Sequence, residues 1–192
     1  MRRSIALLFV LIFLIAPSIV TFSPVKGEPK TIAVPVDYAT IQEAVNAAQA
    51  GDTVFVHTGI YYELLVLNKS ISLVGENKDT TIIDGNNIFG NVIEIVDNNV
   101  TIANLTIQKA LGYPYYERHG IYIEGNSSGA TIRNNTIKDN YGCGIYQERW
   151  LFSWLSEASN TTIVENNILN NFITRAPYKF AVATTTRYLI TR

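Results

Sequence analysis

Apolar positions follow different rules in successive parts of this chain. From Ile5 to Ala16 they run almost unbroken behind Arg2 and Arg3, and small and polar residues follow. That is the layout of a secretory signal peptide over 1–27, with cleavage expected after Gly27. Ile19 and Val20 carry the apolar run past Pro17, so an uncleaved membrane anchor is the alternative. Between Thr40 and Ala50 the spacing is helical. Ile41, Ala44, Val45 and Ala48 share one face, Thr40 and Glu43 fit a capping box, and Gly51 stands where a left-handed residue closes a helix.

From Thr53 the period shortens to that of β-strands. Runs such as "TVFV", "ISLVG", "TTIID" and "VTIANLTIQ" are rich in Val, Ile and Thr and are broken by Gly, Asn and Asp. Two segments can be superposed without a gap: "GNVIEIVDNNVTIANLTIQK" from Gly90 and "GIYIEGNSSGATIRNNTIKD" from Gly120. This alignment puts Gly90 on Gly120, Glu94 on Glu124, Thr101 on Thr131 and Asn104 on Asn134. "GCGIYQERW" and "NTTIVENNILNN" supply another copy with Gly144, Glu148 and Thr162.

A unit this short cannot bury an apolar face alone, but coils stacked on one another form a continuous core. The expected fold is all-β, a right-handed parallel β-helix of about five coils over 28–171, with the helix of 40–50 closing its first coil. Asparagines at the corners can stack as amide ladders, with Asn134 or Asn135 turning one corner. After Asn171 the pattern fails, so 172–192 reads as an irregular or truncated tail without an obvious cap.

Strand alternation predicts where the chemistry lies. Ile93, Ile121, Ile123 and Ile145 face inward, so Glu94, Glu124, Glu148, Tyr122 and Tyr146 face outward. Coils are about 4.8 Å apart, so the ungapped alignment predicts a column of three carboxylates flanked by tyrosines. Such a column is a row of solvated strand ends, a site for polysaccharide or a cation such as Ca2+, or a catalytic carboxylate pair. Two loops add Tyr113, Tyr115, Tyr116, Trp150, Phe152 and Trp154, with Glu117, Arg118, His119 and Arg149 beside them. These rings either shield the coil or form a platform for sugar rings.

Charge and composition narrow the partners. Without Arg2, Arg3 and Lys26 the 15 basic residues fall to 12 against 16 acidic ones, a net charge of about −4. No basic run exists, which argues against nucleic acid. Cys143 is the single cysteine and forms no internal disulfide. His57 and His119 are far apart in sequence, and no zinc-type spacing occurs. Six Asn-X-Ser/Thr triplets begin at Asn68, Asn99, Asn104, Asn126, Asn134 and Asn160. Asn104 and Asn134 read as ladder residues, and Asn126, in the turn "GNSSG", as the best glycan acceptor.

The segment Thr40–Asn86, "TIQEAVNAAQAGDTVFVHTGIYYELLVLNKSISLVGENKDTTIIDGN", resembles the opening of pectin-lyase-like parallel β-helix proteins. It is similar in particular to exported NosD-type repeat proteins, sometimes called periplasmic copper-binding, and "NNTIKDNYGCGIY" and "SNTTIVENNILNN" extend the likeness. The resemblance runs over roughly Thr31 to Asn171 and implies the fold more firmly than a function. Catalytic patterns of that superfamily are mostly missing: there is no "DFIFG"-type segment, no Asp-Asp pair and no clear Asp cluster. Gly59 to Glu63 matches a coil start. Arg118, Arg133 and Arg149 are the arginines available to a lyase-like scheme.

The resulting expectation is an exported, noncatalytic protein for cell-surface carbohydrate recognition or scaffolding. The alternative is a polysaccharide-active enzyme using Glu124 and Glu148 or Arg118. Copper delivery, implied only by the NosD likeness, finds few of the ligands copper prefers: two His, one Cys and the initiator Met.

Overall fold

The computed structural model describes residues 27–113, 118–148 and 160–171, together with the short strands at 181–182 and 188–189. Residues 1–26, within the expected signal peptide, therefore lie outside the described residues. Among the described residues no helix is long and apolar enough to cross a membrane.

Three parallel sheets wrap one core. The first contains β1 (Thr31–Val34), β2 (Thr53–Val56), β5 (Ser72–Gly75), β8 (Thr101–Ala103), β11 (Thr131–Arg133) and β14 (Thr162–Val164). The second contains β3 (Gly59–Tyr61), β6 (Thr81–Asp84), β9 (Thr106–Gln108), β12 (Thr136–Lys138) and β15 (Asn167–Leu169). The third contains β4 (Leu65–Leu67), β7 (Ile93–Ile95), β10 (Ile121–Ile123) and β13 (Ile145–Gln147). The chain visits the sheets in the order first, second, third, so β2-β3-β4 is one coil and each later trio another. This is a right-handed parallel β-helix. Inward positions carry aliphatic side chains at every level, among them Leu65, Leu73, Ile83, Ile93, Ile102 and Ile121, all fully buried. Their contiguity supplies the driving force that no single coil possesses.

Asparagines close the corners. Between the first and second sheets, Asn104 and Asn134 take left-handed backbone angles, φ 58° and 52°. Asn134 Nδ2 donates to Asn104 Oδ1 at 2.9 Å. The next residue, Asn135, points inward and is fully buried. Its Oδ1 accepts from Leu105 N–H at 3.0 Å, and its Nδ2 donates to Ile102 O and Asn166 Oδ1, both at 3.0 Å. Asn140 and Asn171 repeat this device where the chain leaves the second sheet: Asn140 Oδ1 accepts from Ala110 N–H at 2.9 Å, and its Nδ2 donates to Asn171 Oδ1 at 2.9 Å. Backbone groups that a tight corner strands are thus satisfied by side-chain amides.

The second ladder also explains the repeated glycines. A Cβ on Gly120 would press on Asn140 Nδ2, and one on Gly144 on Asn171 Nδ2. In the preceding coil the equivalent strand start is Val92, and there the adjoining corner residue is Ala110 rather than Asn. Glycine stands where an asparagine needs the room.

The strand pairing corrects the ungapped alignment. Ile121 pairs with Ile93 and Tyr122 with Glu94, so Gly120 is level with Val92 and not with Gly90. The corner after β10 is two residues longer than the one after β7, and the offset of 30 is restored only at Thr101 and Thr131. A slip of two keeps every side chain on its face and changes its neighbour.

Helix α1 (Ile41–Ala47) closes the first coil, with the capping box of Thr40 and Glu43 formed. It ends before the expected Ala50. Lys69 Nζ donates to Val45 O, Asn46 O and Ala48 O at 3.2, 2.6 and 2.8 Å, which satisfies the terminal carbonyls without a glycine cap. Gly51, φ 99°, turns the chain beyond the helix instead. At the other end Glu63 accepts from Ile41 N–H at 2.9 Å and Gln42 N–H at 3.0 Å. A carboxylate at the positive end and an ammonium at the negative end complement the helix dipole. Buried Asp52 ties the segment down: hydrogen bonds from the N–H groups of Gln49 and Lys30, at 2.8 and 3.0 Å, hold its carboxyl below the usual aspartate range against the opposing push of burial.

Most of the tail read as irregular lies outside the described residues, which include two short strands of it. Strands β16 (Ala181–Val182) and β17 (Tyr188–Leu189) pair antiparallel with β13 and β14.

Candidate functional site

The third sheet presents the predicted polar residues outward. Glu94, Tyr122 and Tyr146 form one outward column. Glu124 and Glu148 lie one step further along, where their N–H groups bond to Ile95 O and Ile123 O, each at 2.9 Å. The carboxylates therefore do not form a three-membered column. Glu94 sits beside Tyr122 and accepts from Asn91 Nδ2 at 2.8 Å, while Glu124 and Glu148 remain neighbours. The physical reason is the two-residue difference between the corners.

Tyr122 joins the carboxylates to an aromatic stack. Its ring lies 5.7 Å from Tyr146, and His119 stacks on Tyr146 at 4.4 Å. Burial raises the Tyr122 phenol above its ordinary pKa, and a hydrogen bond to Glu148 with the charges of Glu148 and Glu124 raises it further. Tyr122 is thereby fixed as a protonated donor, unsuited to act as a base at neutral pH. His119 is buried, its backbone N–H donates to Asn91 Oδ1 at 2.8 Å, and its Nδ1 accepts from Cys143 N–H at 3.0 Å. Tyr146 is 7% exposed, so it offers little ring surface to a ligand.

Exposed rings gather instead at the corner between the second and third sheets. Tyr62, Phe89 and Tyr113, from successive coils, are 59%, 43% and 57% exposed. Phe89 and Tyr113 stack at 5.4 Å with planes 23° apart. The Arg118 guanidinium lies over Phe89, 4.7 Å from the ring centre. Leu111 bridges to Phe89 and Gly90, which keeps the two coils' corners together. Tyr113 and Arg118 were legible as loop residues. Tyr62 and Phe89 were not, although each follows a second-sheet strand at the same corner. Aligning coils by their strands would have found them.

Tyr115, Trp150 and Trp154 lie outside the described residues, as does Arg149. Arg118 precedes β10 and Glu124 follows it, so the weak catalytic candidates flank opposite ends of that strand, and Arg133 is exposed on β11. Asn126 is exposed.

Of the side chains that copper would prefer, His119 and Cys143 are neighbours and His57 stands apart from both. His57 is paired with Glu76 at 3.4 Å in the corner after β2, remote in the topology from His119 before β10, and His119 Nδ1 is taken by a backbone N–H. Among the described residues no group of three or more His, Cys, Asp or Glu is placed to hold a metal ion. Among the described residues the donor set does not fit copper.

Fold and surface define a parallel β-helix with amide ladders at two corners, one of which carries exposed rings on the coils that precede its ladder. A family model described as periplasmic copper-binding protein (NosD) matches residues 46–179, and the chain belongs to that family. It is similar to a cell surface glycoprotein of Methanothermus fervidus, 30% identical over 148 residues that cover 75% of this chain and 22% of that protein. Pectin methylesterase from Yersinia enterocolitica shares the fold with a TM-score of 0.56 at 19% identity, over 70% of this chain and 49% of that one. Pectin methylesterase PemA from Erwinia chrysanthemi gives 0.57 at 12% identity, over 76% and 50%. The chain thus spans half or less of the length of each. At these identities the two enzymes show the fold alone.

Proposed function

We propose that this chain is an extracytoplasmic, noncatalytic recognition module that holds glycan on the aromatic corner formed by Tyr62, Phe89 and Tyr113. The observation that carries this reading is the exposure of these rings on successive coils, with Arg118 over Phe89. Aromatic faces cover the apolar faces of sugar rings, and a guanidinium donates to their hydroxyl or carboxylate groups. Rungs of about 4.8 Å suit a chain of sugars more than a single small molecule. The names of the family and of the glycoprotein relative support a place outside the cytoplasm.

A glycan array probed with the full chain, with and without Ca2+, tests the proposal, followed by a product assay on every hit. Binding without product, weakened about tenfold in Phe89→Ala, is the expected result. Product release overturns the noncatalytic reading, and absence of binding leaves a scaffold. Dependence on Ca2+ would point to the Glu124 and Glu148 pair.

A further inference from the structure

The corner between the third and first sheets carries four of the six Asn-X-Ser/Thr triplets, one for each successive passage of the chain. Asn68 follows β4, Asn99 lies between β7 and β8, Asn126 between β10 and β11, and Asn160 before β14. All four are exposed, and among the described residues none has a hydrogen-bonded side chain. The other two triplets begin at Asn104 and Asn134, half-buried at a different corner and bonded to each other.

Their placement within the corner alternates. Asn99 and Asn160 stand two residues before the aligned Thr101 and Thr162, with φ 55° and 39°. In the coil between them that position is Gly129, φ 71°, whose missing Cβ leaves space for the Asn99 amide. Asn126 comes earlier in its passage, at the tip of a turn closed by Ser127 N–H to Glu124 O at 2.9 Å. Asn68 is earlier still, directly after β4. The four therefore fall on two tracks, early and late, used by alternate coils. Neighbours on one track are two rungs apart, about 10 Å, twice the separation that stacked equivalents would have.

We infer that this corner is a row of N-glycan acceptors, Asn68, Asn99, Asn126 and Asn160, staggered so that bulky substituents clear one another. The donor class is an oligosaccharide on a polyprenyl phosphate or diphosphate, transferred by the host's oligosaccharyltransferase. A bond forms from asparagine Nδ2 to the anomeric carbon, the bond from that carbon to the phosphate oxygen breaks, Nδ2 gives up one proton, and the lipid phosphate leaves. The inference requires export of the chain and does not rest on the aromatic corner binding anything.

The test is glycopeptide mapping of the full chain produced in an archaeal host that glycosylates its own surface proteins, with one such protein mapped alongside as a positive control. Glycan mass on three or four of the row, with Asn104 and Asn134 unmodified, is the expected result. Asn→Asp variants, which tolerate the left-handed angles at 99 and 160, should then each remove one glycan and leave the melting temperature of the enzymatically deglycosylated chain unchanged. Two or fewer occupied positions in the row, with the control glycosylated, overturns the inference. Equal occupancy at Asn104 and Asn134 does so too.

Discussion

Two corners of this solenoid invert the usual distribution of side chains in opposite ways. Between the first and second sheets a polar amide is turned inward: Asn135 is 0% exposed yet fully engaged. Between the second and third sheets Asn140 repeats that device, but the three coils before it turn apolar rings outward, with Tyr62 at 59% and Tyr113 at 57%. The inward amide is stabilising because it satisfies the buried N–H of Leu105. The outward rings gain little from the fold and are available to something else. Burial of polarity here belongs to architecture, and exposure of apolarity is what the proposed recognition role rests on.

Substitutions should separate the two roles. Asn135→Ala strands the Leu105 N–H in the core and removes the amide's bonds to Ile102 O and Asn166, and the expected loss of stability is about 3 kcal/mol, read by denaturant unfolding, with no glycan-specific effect beyond it. Asp52→Asn, at another inward polar site, should cost about 2 kcal/mol near neutral pH, since two hydrogen bonds to a charged acceptor are weakened.

Asp52 also gives a pH signature. Its folded pKa is depressed, so the unfolded chain binds the proton more readily, and its contribution is complete above the ordinary aspartate value of about 4. That contribution drains as pH falls through the depressed value. Thermal melts across this range should show the parent chain losing more stability on acidification than Asp52→Asn; parallel curves would sink the assignment.

Phe89→Ala should weaken glycan binding about tenfold, roughly 1.4 kcal/mol, measured by titration calorimetry on the best array hit. The smallest effect is the most diagnostic one: Tyr113→Ala should change folding stability by no more than about 0.5 kcal/mol. A large destabilisation would mean that this ring belongs to the architecture after all.

Face was legible in the sequence and register was not. Alternation of Ile with Glu or Tyr in "VIEIV" and "GIYIE" marks inward and outward positions whatever the neighbouring coil does, because side-chain direction is local. Pairing depends on the length of a corner elsewhere, and near-repeats of Gly, Asn and Thr-Ile made an alignment two residues out of register look gapless. Asn104 and Asn134 could be read as ladder residues because triplets beginning with Asn recur at one spacing. The inward roles of Asn135 and Asn140 are set by the neighbouring coil's backbone, and so is the burial of Tyr146 beside His119.

Helix α1 is gripped at both ends by side chains that flank the same strand, Glu63 before β4 and Lys69 after it. Inheritance of the lid is thereby tied to inheritance of that coil. A recombination breakpoint between Ala47 and Glu63 would deliver a helix without its two clasps, whereas one after Ser70 transfers lid, strand and clasps as one portable block. Chimeras joined on either side of this boundary should differ in the yield of folded protein, and a shuffled library of such solenoids should be enriched in crossovers beyond Ser70.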